Sequence, residues 1–348
     1  MRSSSEALRA FLAGWRRVIG APVSVVGVWL AITLTALPAA LTVHQAIADH
    51  LGRSLTAVRV AAGADLGWWQ EFLAQARGAA STLVPAIIGA AAPLGNWSGF
   101  LDHPGVPPSL LATVAASLAA WMFLGGGLID RFARGRRVGS RAFFGTCGVF
   151  FFRFLRLGVM VGALYWLLAG PWHALLFDGI YPWVTRDLSA ERVAFRWRVV
   201  LYAVWLLPLV ALNLVADYAK VRAVVEDRRS MIGALASAIR FLARRPGQAI
   251  SVYVANALAL GVLFALYLLF APGARGGDWR LIAVLVAGQA WILARIVTRL
   301  AFLSTSAALL QQSLAHAEYT AGPLPVWPDS PAAEAIENAA RFGVRPEL

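Results

Sequence analysis

The sequence predicts an all-α fold: a polytopic membrane helical bundle with six transmembrane helices and amphipathic helices along its cytoplasmic surface. Three observations predict it. Of 348 residues, 59% are hydrophobic and only 14% charged, with a mean hydropathy of +0.66; a soluble chain carries roughly 25% charge. Six apolar runs come close to or exceed the ~20 residues that span a bilayer as helix. The net charge of +13 is almost all arginine, Lys220 being the one lysine, and its placement alternates. Residues 1–20 carry four Arg, 131–156 seven, and 217–247 seven Lys or Arg, whereas 44–108, 178–198 and 271–280 carry three, four and two. That alternation is the positive-inside pattern. It assigns the N-terminus, both basic loops and the C-terminus to the cytoplasm, and it turns the basic balance away from nucleic acid.

The runs are 18–43, 109–129, 155–177, 199–216, 249–270 and 281–302. Lipid leaves backbone polar groups no outside partner, so each run is a helix. The first is too long and too poorly punctuated for a cleaved leader and is expected to stay as an anchor. With one cysteine, Cys147, the chain has no intramolecular disulfide framework.

The basic loops repeat. With Asp130 set on Asp217, Arg141 falls on Arg228, and Arg153-Phe154-Leu155 falls on Arg240-Phe241-Leu242. A weaker echo, Arg9 to Arg17, precedes the first run. In the second copy Met231, Ile232, Leu235, Ile239 and Leu242 recur at helical spacing, with Ser230, Ser237, Arg240 and Arg244 opposite, before Pro246-Gly247 breaks the helix. Such a helix lies in the interface plane. The frame therefore predicts two equivalent interfacial helices, 138–153 and 230–244, with "FFFRFLRLG" as the elbow into span three. Arg141, Arg153, Arg156, Arg228, Arg240 and Arg244 become candidates for contact with anionic lipid headgroups, or plain topological anchors. Three units follow, 1–130, 131–217 and 218–303, within a membrane domain 1–310. A soluble cytoplasmic tail, 311–348, carries a short helix over 331–340, begun by Ser330 and Pro331.

Unit one contains a periplasmic insertion, 44–108. Asp65 is its N-cap candidate, Leu66, Trp69, Phe72, Leu73 and Ala76 share a face, and Gly78 is a stop. Segment 79–93, interrupted by Pro85 and Pro93, reads as re-entrant or interfacial, and the insertion as a cap on the bundle or a lid over a cavity.

Candidate chemistry is sparse. His44, His50, His103 and His173 fall near the outer face with Asp49 and Asp102, but their spacing makes no compact metal motif. There is no phosphate loop, HExxH or nucleophile elbow, so no catalytic residue, cofactor or metal site is assigned. Gly125 to Gly127 are expected to permit close helix packing. The polar residues inside the spans form the candidate cluster: Asp130, Asn213, Asp217, Asn256, Gln289, Arg295 and Arg299. They are either a structural lock or a substrate path. At about 1.5 Å per residue, Arg299 lies roughly 27 Å from the start of span six, and Asp217 about 27 Å from the start of span four. Arg299 is therefore expected to pair with Asp217 or Asp130, and Arg295 to face the interior with Asn213 or backbone carbonyls as partners.

The segments "DLGWWQEFLAQARG", "IDRFARGRRVGSRAFFGTCGVFFFRFLRLG" and "NLVADYAKVRAVVEDRRSMIGALASAIRFLARRPG" resemble those of uncharacterised bacterial integral membrane proteins, over most of residues 8–312. The resemblance implies a bacterial inner-membrane location and transfers no activity. The expected role is non-enzymatic: organising membrane lipid, a partner membrane protein or a second copy. The alternative is a transporter or lipid-handling permease with a polar site between spans four to six.

Overall fold

The computed structural model describes residues 2–52, 54–62, 65–82, 91–106, 108–135, 139–270 and 278–321. The chain divides at Leu309/Leu310. The tail helix 331–340 and most of segment 79–93 lie outside the described residues.

The described residues are helical, with no strand among them. In order, the helices are α1 (Arg2–Ile19), α2 (Pro22–Leu51), α3 (Thr56–Ala62), α4 (Leu66–Gln75), α5 (Ala91–Asp102), α6 (Leu111–Arg134), α7 (Ser140–Leu167), α8 (Tyr181–Thr185), α9 (Glu191–Val225), α10 (Met231–Arg244), α11 (Pro246–Phe270) and α12 (Asp278–Ala321). Six helical segments are long and apolar enough to cross a membrane: Pro22–Leu51, Pro108–Arg134, Ser140–Thr185, Glu191–Val225, Pro246–Phe270 and Ile282–Leu314. They fall on the six runs read from the sequence.

Local chemistry sets the boundaries. Pro22 and Pro246 open α2 and α11 at positions where a missing N–H costs nothing. Gly135, at φ 63°, closes α6 in the left-handed conformation. Asp65 caps α4, accepting from the Trp68 N–H at 3.1 Å, as expected. Helix α4 buries most of the expected face: Phe72 is inside with Trp68, against the end of α2, and Trp69, Leu73 and Ala76 pack on them, while Leu66 is exposed. Trp68 and Phe72 stack on each other, and His50 meets both rings edge-on.

The tightest contact joins α6 to antiparallel α7. A Cβ at Gly126 would sit 2.7 Å from the Cβ of Phe150, and one at Gly127 would sit 2.6 Å from the Sγ of Cys147. The three glycines therefore do pack helix on helix.

The structure corrects the repeat. Helix α7 runs unbroken from Ser140 to Leu167, so "FFFRFLRLG" is mid-helix and makes no elbow, and 138–153 is not a separate helix like α10. The reason is one residue. The frame sets Pro246 on Val159, and nothing in α7 removes a backbone donor at that point. The weak echo is the truer one: α1, like α10, is a separate helix ended just before a proline-led span.

Candidate functional site

The polar residues of the spans resolve into separate groups. Asp217, on α9, is 2% exposed. Arg299 grips it with both terminal nitrogens, Nη1 to Oδ2 at 2.8 Å and Nη2 to Oδ1 at 3.0 Å. Lys220 adds Nζ to Oδ1 at 3.1 Å. This is the pairing expected from helix depth, made by Asp217 and not by Asp130. Asp130 instead accepts from Arg134 one turn along α6, at 2.9 Å to both oxygens. Beside the ion group, Asn213 donates to the Tyr253 hydroxyl at 2.8 Å, and Tyr165 leans on the Asn213 oxygen at 3.5 Å.

Asn256 is fully buried and belongs to a second group. Its amide nitrogen donates to Val252 O at 3.0 Å and to Thr305 Oγ1 at 2.9 Å, and its oxygen accepts from the Trp15 indole at 3.0 Å. Ser304 donates to Gly14 O at 3.0 Å. A Cβ at Gly14 would lie 2.6 Å from the Thr305 backbone. Together these contacts fasten α1 to α11 and α12. The sequence reading missed Trp15 and Gly14. A glycine amid the alanines of an amphipathic helix was the available signal. Gln289 accepts from Trp29 at 3.0 Å, in a third group.

Arg295 departs from expectation. It is exposed, not turned inward, and Asn213 is not its partner. Arg295 shares the Arg299 side of α12, about 40° round the helix, but lies one turn outward and does not meet Asp217.

The candidate headgroup arginines divide as well. Arg153 is withdrawn: its side chain is 14% exposed, pairs with Asp227 at 2.6 Å and donates to Arg228 O at 3.3 Å. Arg228 pairs with Glu226, which also takes Arg222 at 2.6 Å. Arg222 reaches on to Ser237 O at 2.7 Å, so Ser237 is buried and not on a polar face. These contacts lock α7, α9 and α10 around a turn whose Asp227 holds φ 46°. Burial by itself raises the Glu226 carboxyl pKa, but the two guanidiniums outweigh it and hold the group below the ordinary range. Arg156 donates to its own helix at Phe152 O, 3.3 Å, and is exposed, as are Arg141, Arg240 and Arg244.

At the opposite end, Asp102 accepts from Tyr202 at 2.6 Å and faces Arg198 at 3.6 Å. The Tyr202 hydrogen bond, with help from Arg198, lowers the Asp102 carboxyl pKa. His173 meets Leu101 O at 2.9 Å and lies on Phe177 and Trp205. The described residues contain no group of three potential metal ligands.

The fold defines a class, a multi-pass membrane protein whose polar span residues are mostly joined to one another. No protein-family model matches the chain, and no curated protein or solved structure matches it either.

Proposed function

We propose that the chain is a non-enzymatic protein of the bacterial inner membrane, termini cytoplasmic, that organises anionic lipid at the cytoplasmic face. One observation carries the reading: α1 and α10 each present three distinct faces. On α1, Ala7, Ala10, Gly14 and Val18 are buried against the bundle. Leu8, Leu12 and Ile19 form an exposed apolar stripe, 58%, 52% and 70% accessible. Arg16, exposed, lies on the next sector. On α10, Met231, Ala234 and Ala238 are buried, Ile232 and Ile239 are exposed at 71% and 54%, and Arg240 and Arg244 follow. A helix that packs inward, shows lipid an apolar stripe and holds arginines beside it suits the headgroup level of a bilayer. Phosphate is the natural partner for that guanidinium rim.

The permease alternative needs the polar residues of spans four to six to converge, and Asn256 is taken up in a separate group with Trp15 and Thr305. A partner membrane protein or second copy could share the same arginine rim. The test is lipid selectivity of the reconstituted protein, read as energy transfer to labelled phosphatidylglycerol against labelled phosphatidylcholine. The wild type should prefer phosphatidylglycerol. The triple variant Arg16→Gln, Arg240→Gln, Arg244→Gln should lose most of that preference. Unchanged preference would refute the reading.

A further inference from the structure

Arg295 is left over by the packing. It is exposed inside span six, and among the described residues no hydrogen bond or ion pair reaches it. Its neighbours on α12 fix where it points. At about 100° per residue, Arg295 projects about 20° from Phe302 and about 40° from both Trp291 and Arg299. Phe302 meets Tyr253 of α11 with ring centroids 4.9 Å apart, and Trp291 stacks on Tyr267 of α11 at 5.2 Å. Arg299 holds Asp217 of α9. Arg295 thus points between α11 and α9, which do not pack side by side. A side-chain hydrogen bond, Asn213 to Tyr253 at 2.8 Å, crosses the gap. Asn213 lies one turn outward of Asp217, as Arg295 lies one turn outward of Arg299, so both stand at the same level.

Depth makes this position costly. Arg295 is about 20 Å along the helix from Ile282, well inside a hydrocarbon layer about 30 Å thick. Helical side chains lean toward the N-terminus. For Arg295 that is the Ile282 end, so reaching back to the headgroups beside α10 works against its geometry. An anion brought to the guanidinium removes the penalty. The walls of the gap say what kind of molecule brings it. Val210, on α9, is 44% exposed, and Ala257 and Gly261, on α11 one and two turns beyond Tyr253, are exposed and small. An apolar slot with one cation at depth suits an amphiphile, not a hydrated ion.

We propose that the gap between α9 and α11 seats a phospholipid, its headgroup phosphate on Arg295 and an acyl chain along Val210 and Gly261. The proposal rests on the lipid-organising reading but concerns a site apart from α1 and α10. Phosphate fits the planar fork of arginine through paired hydrogen bonds, and a lysine would supply only a point charge.

The test is native mass spectrometry of the full chain in mild detergent, titrated with dioleoyl-phosphatidylglycerol or with inorganic phosphate. The wild type should retain one tightly held lipid. Arg295→Leu should weaken it about tenfold or more, and Arg295→Lys by less. Inorganic phosphate should neither bind nor displace it. The pair Arg240→Gln, Arg244→Gln should keep this lipid, so loss of surface selectivity and loss of this site are separable. Melting temperature is followed in parallel, and if Arg295→Leu lowers it, Arg295→Gln is titrated in its place. Equal lipid retention in the Arg295 variants would overturn the proposal. So would displacement by inorganic phosphate, which would make the site one for a soluble anion. So would a co-purifying polypeptide that Arg295→Leu releases while lipid retention stays unchanged.

Discussion

The two copies of the basic frame, 130–155 and 217–242, share their residues and not their structure. Asp130 and Asp217 align; the first binds Arg134 on its own helix, the second is buried under Arg299 and Lys220. Arg153 and Arg240 align; the first is inserted against Asp227, the second is exposed. Arg141 and Arg228 align; the first is exposed, the second holds Glu226. What separates each pair is what the neighbouring helices bring to that position. Pro246 frees α10 from α11, whereas Val159 leaves α7 a single rod, and the arginines are redistributed accordingly.

The largest expected effect contrasts the two aspartates. Asp217→Leu should strand Arg299 and cost about 3–5 kcal/mol, and Arg299→Leu about as much, while the double variant should cost less than either. Asp130→Leu should cost about 1 kcal/mol or less, because its partner Arg134 is half exposed and water takes up the freed guanidinium. Thermal melts in detergent measure all four. Equal losses at the two aspartates would erase the contrast.

The second contrast concerns the breaker. Val159→Pro writes the missing proline into α7 and should cost about 3 kcal/mol or more, because the helix there is continuous and in the membrane. If Val159→Pro is tolerated as well as Pro246→Ala, α7 already has an elbow and the unbroken rod is wrong.

Third, Arg153→Leu should destabilise by about 1–2 kcal/mol through the lost charged hydrogen bonds to Asp227 and Arg228 O. Arg240→Leu should fall within about 0.5 kcal/mol of the wild type. The measurement is again the detergent melt.

The smallest effect is acid sensitivity of the α9–α10 turn. The Glu226 carboxyl has its pKa lowered in the fold, so its contribution is present above its unfolded value, about 4.3, and fades as pH falls through the folded value. Protection factors of the amides at residues 226–230, taken against the intrinsic exchange rate at each pH, should fall below that point in the wild type. In Glu226→Gln they should already be lowered and should not change across that range. A pH-independent wild type would remove Glu226 from the lock.

These contrasts mark what the sequence could and could not carry. Span count and helix class were legible because hydropathy and length act locally. The Arg299–Asp217 pair was legible because two parallel spans place residues at equal depth, and an unpaired charge at that depth is costly. Exposure at single positions was not legible: depth and spacing fix height and face but not what a neighbour covers, so Arg295 and Leu66 are exposed while Trp69, Phe72, Leu73 and Ala76 lie on the packed side as expected. The repeat misled because residue identity is preserved while Val159 and Pro246 differ in backbone chemistry. Trp15 and Asn256 lie 241 residues apart, and no local pattern joins them.

The central claim is that arginines spent on the fold and arginines left outside it do different work. The most direct measurement sets Arg153→Gln beside the pair Arg240→Gln, Arg244→Gln, with melting temperature and selectivity for spin-labelled phosphatidylglycerol read on the same reconstituted samples. The account predicts a lowered melting temperature with unchanged selectivity for Arg153→Gln. For the α10 pair it predicts reduced selectivity with an unchanged melting temperature. Selectivity lost at Arg153, or retained without Arg240 and Arg244, would contradict it.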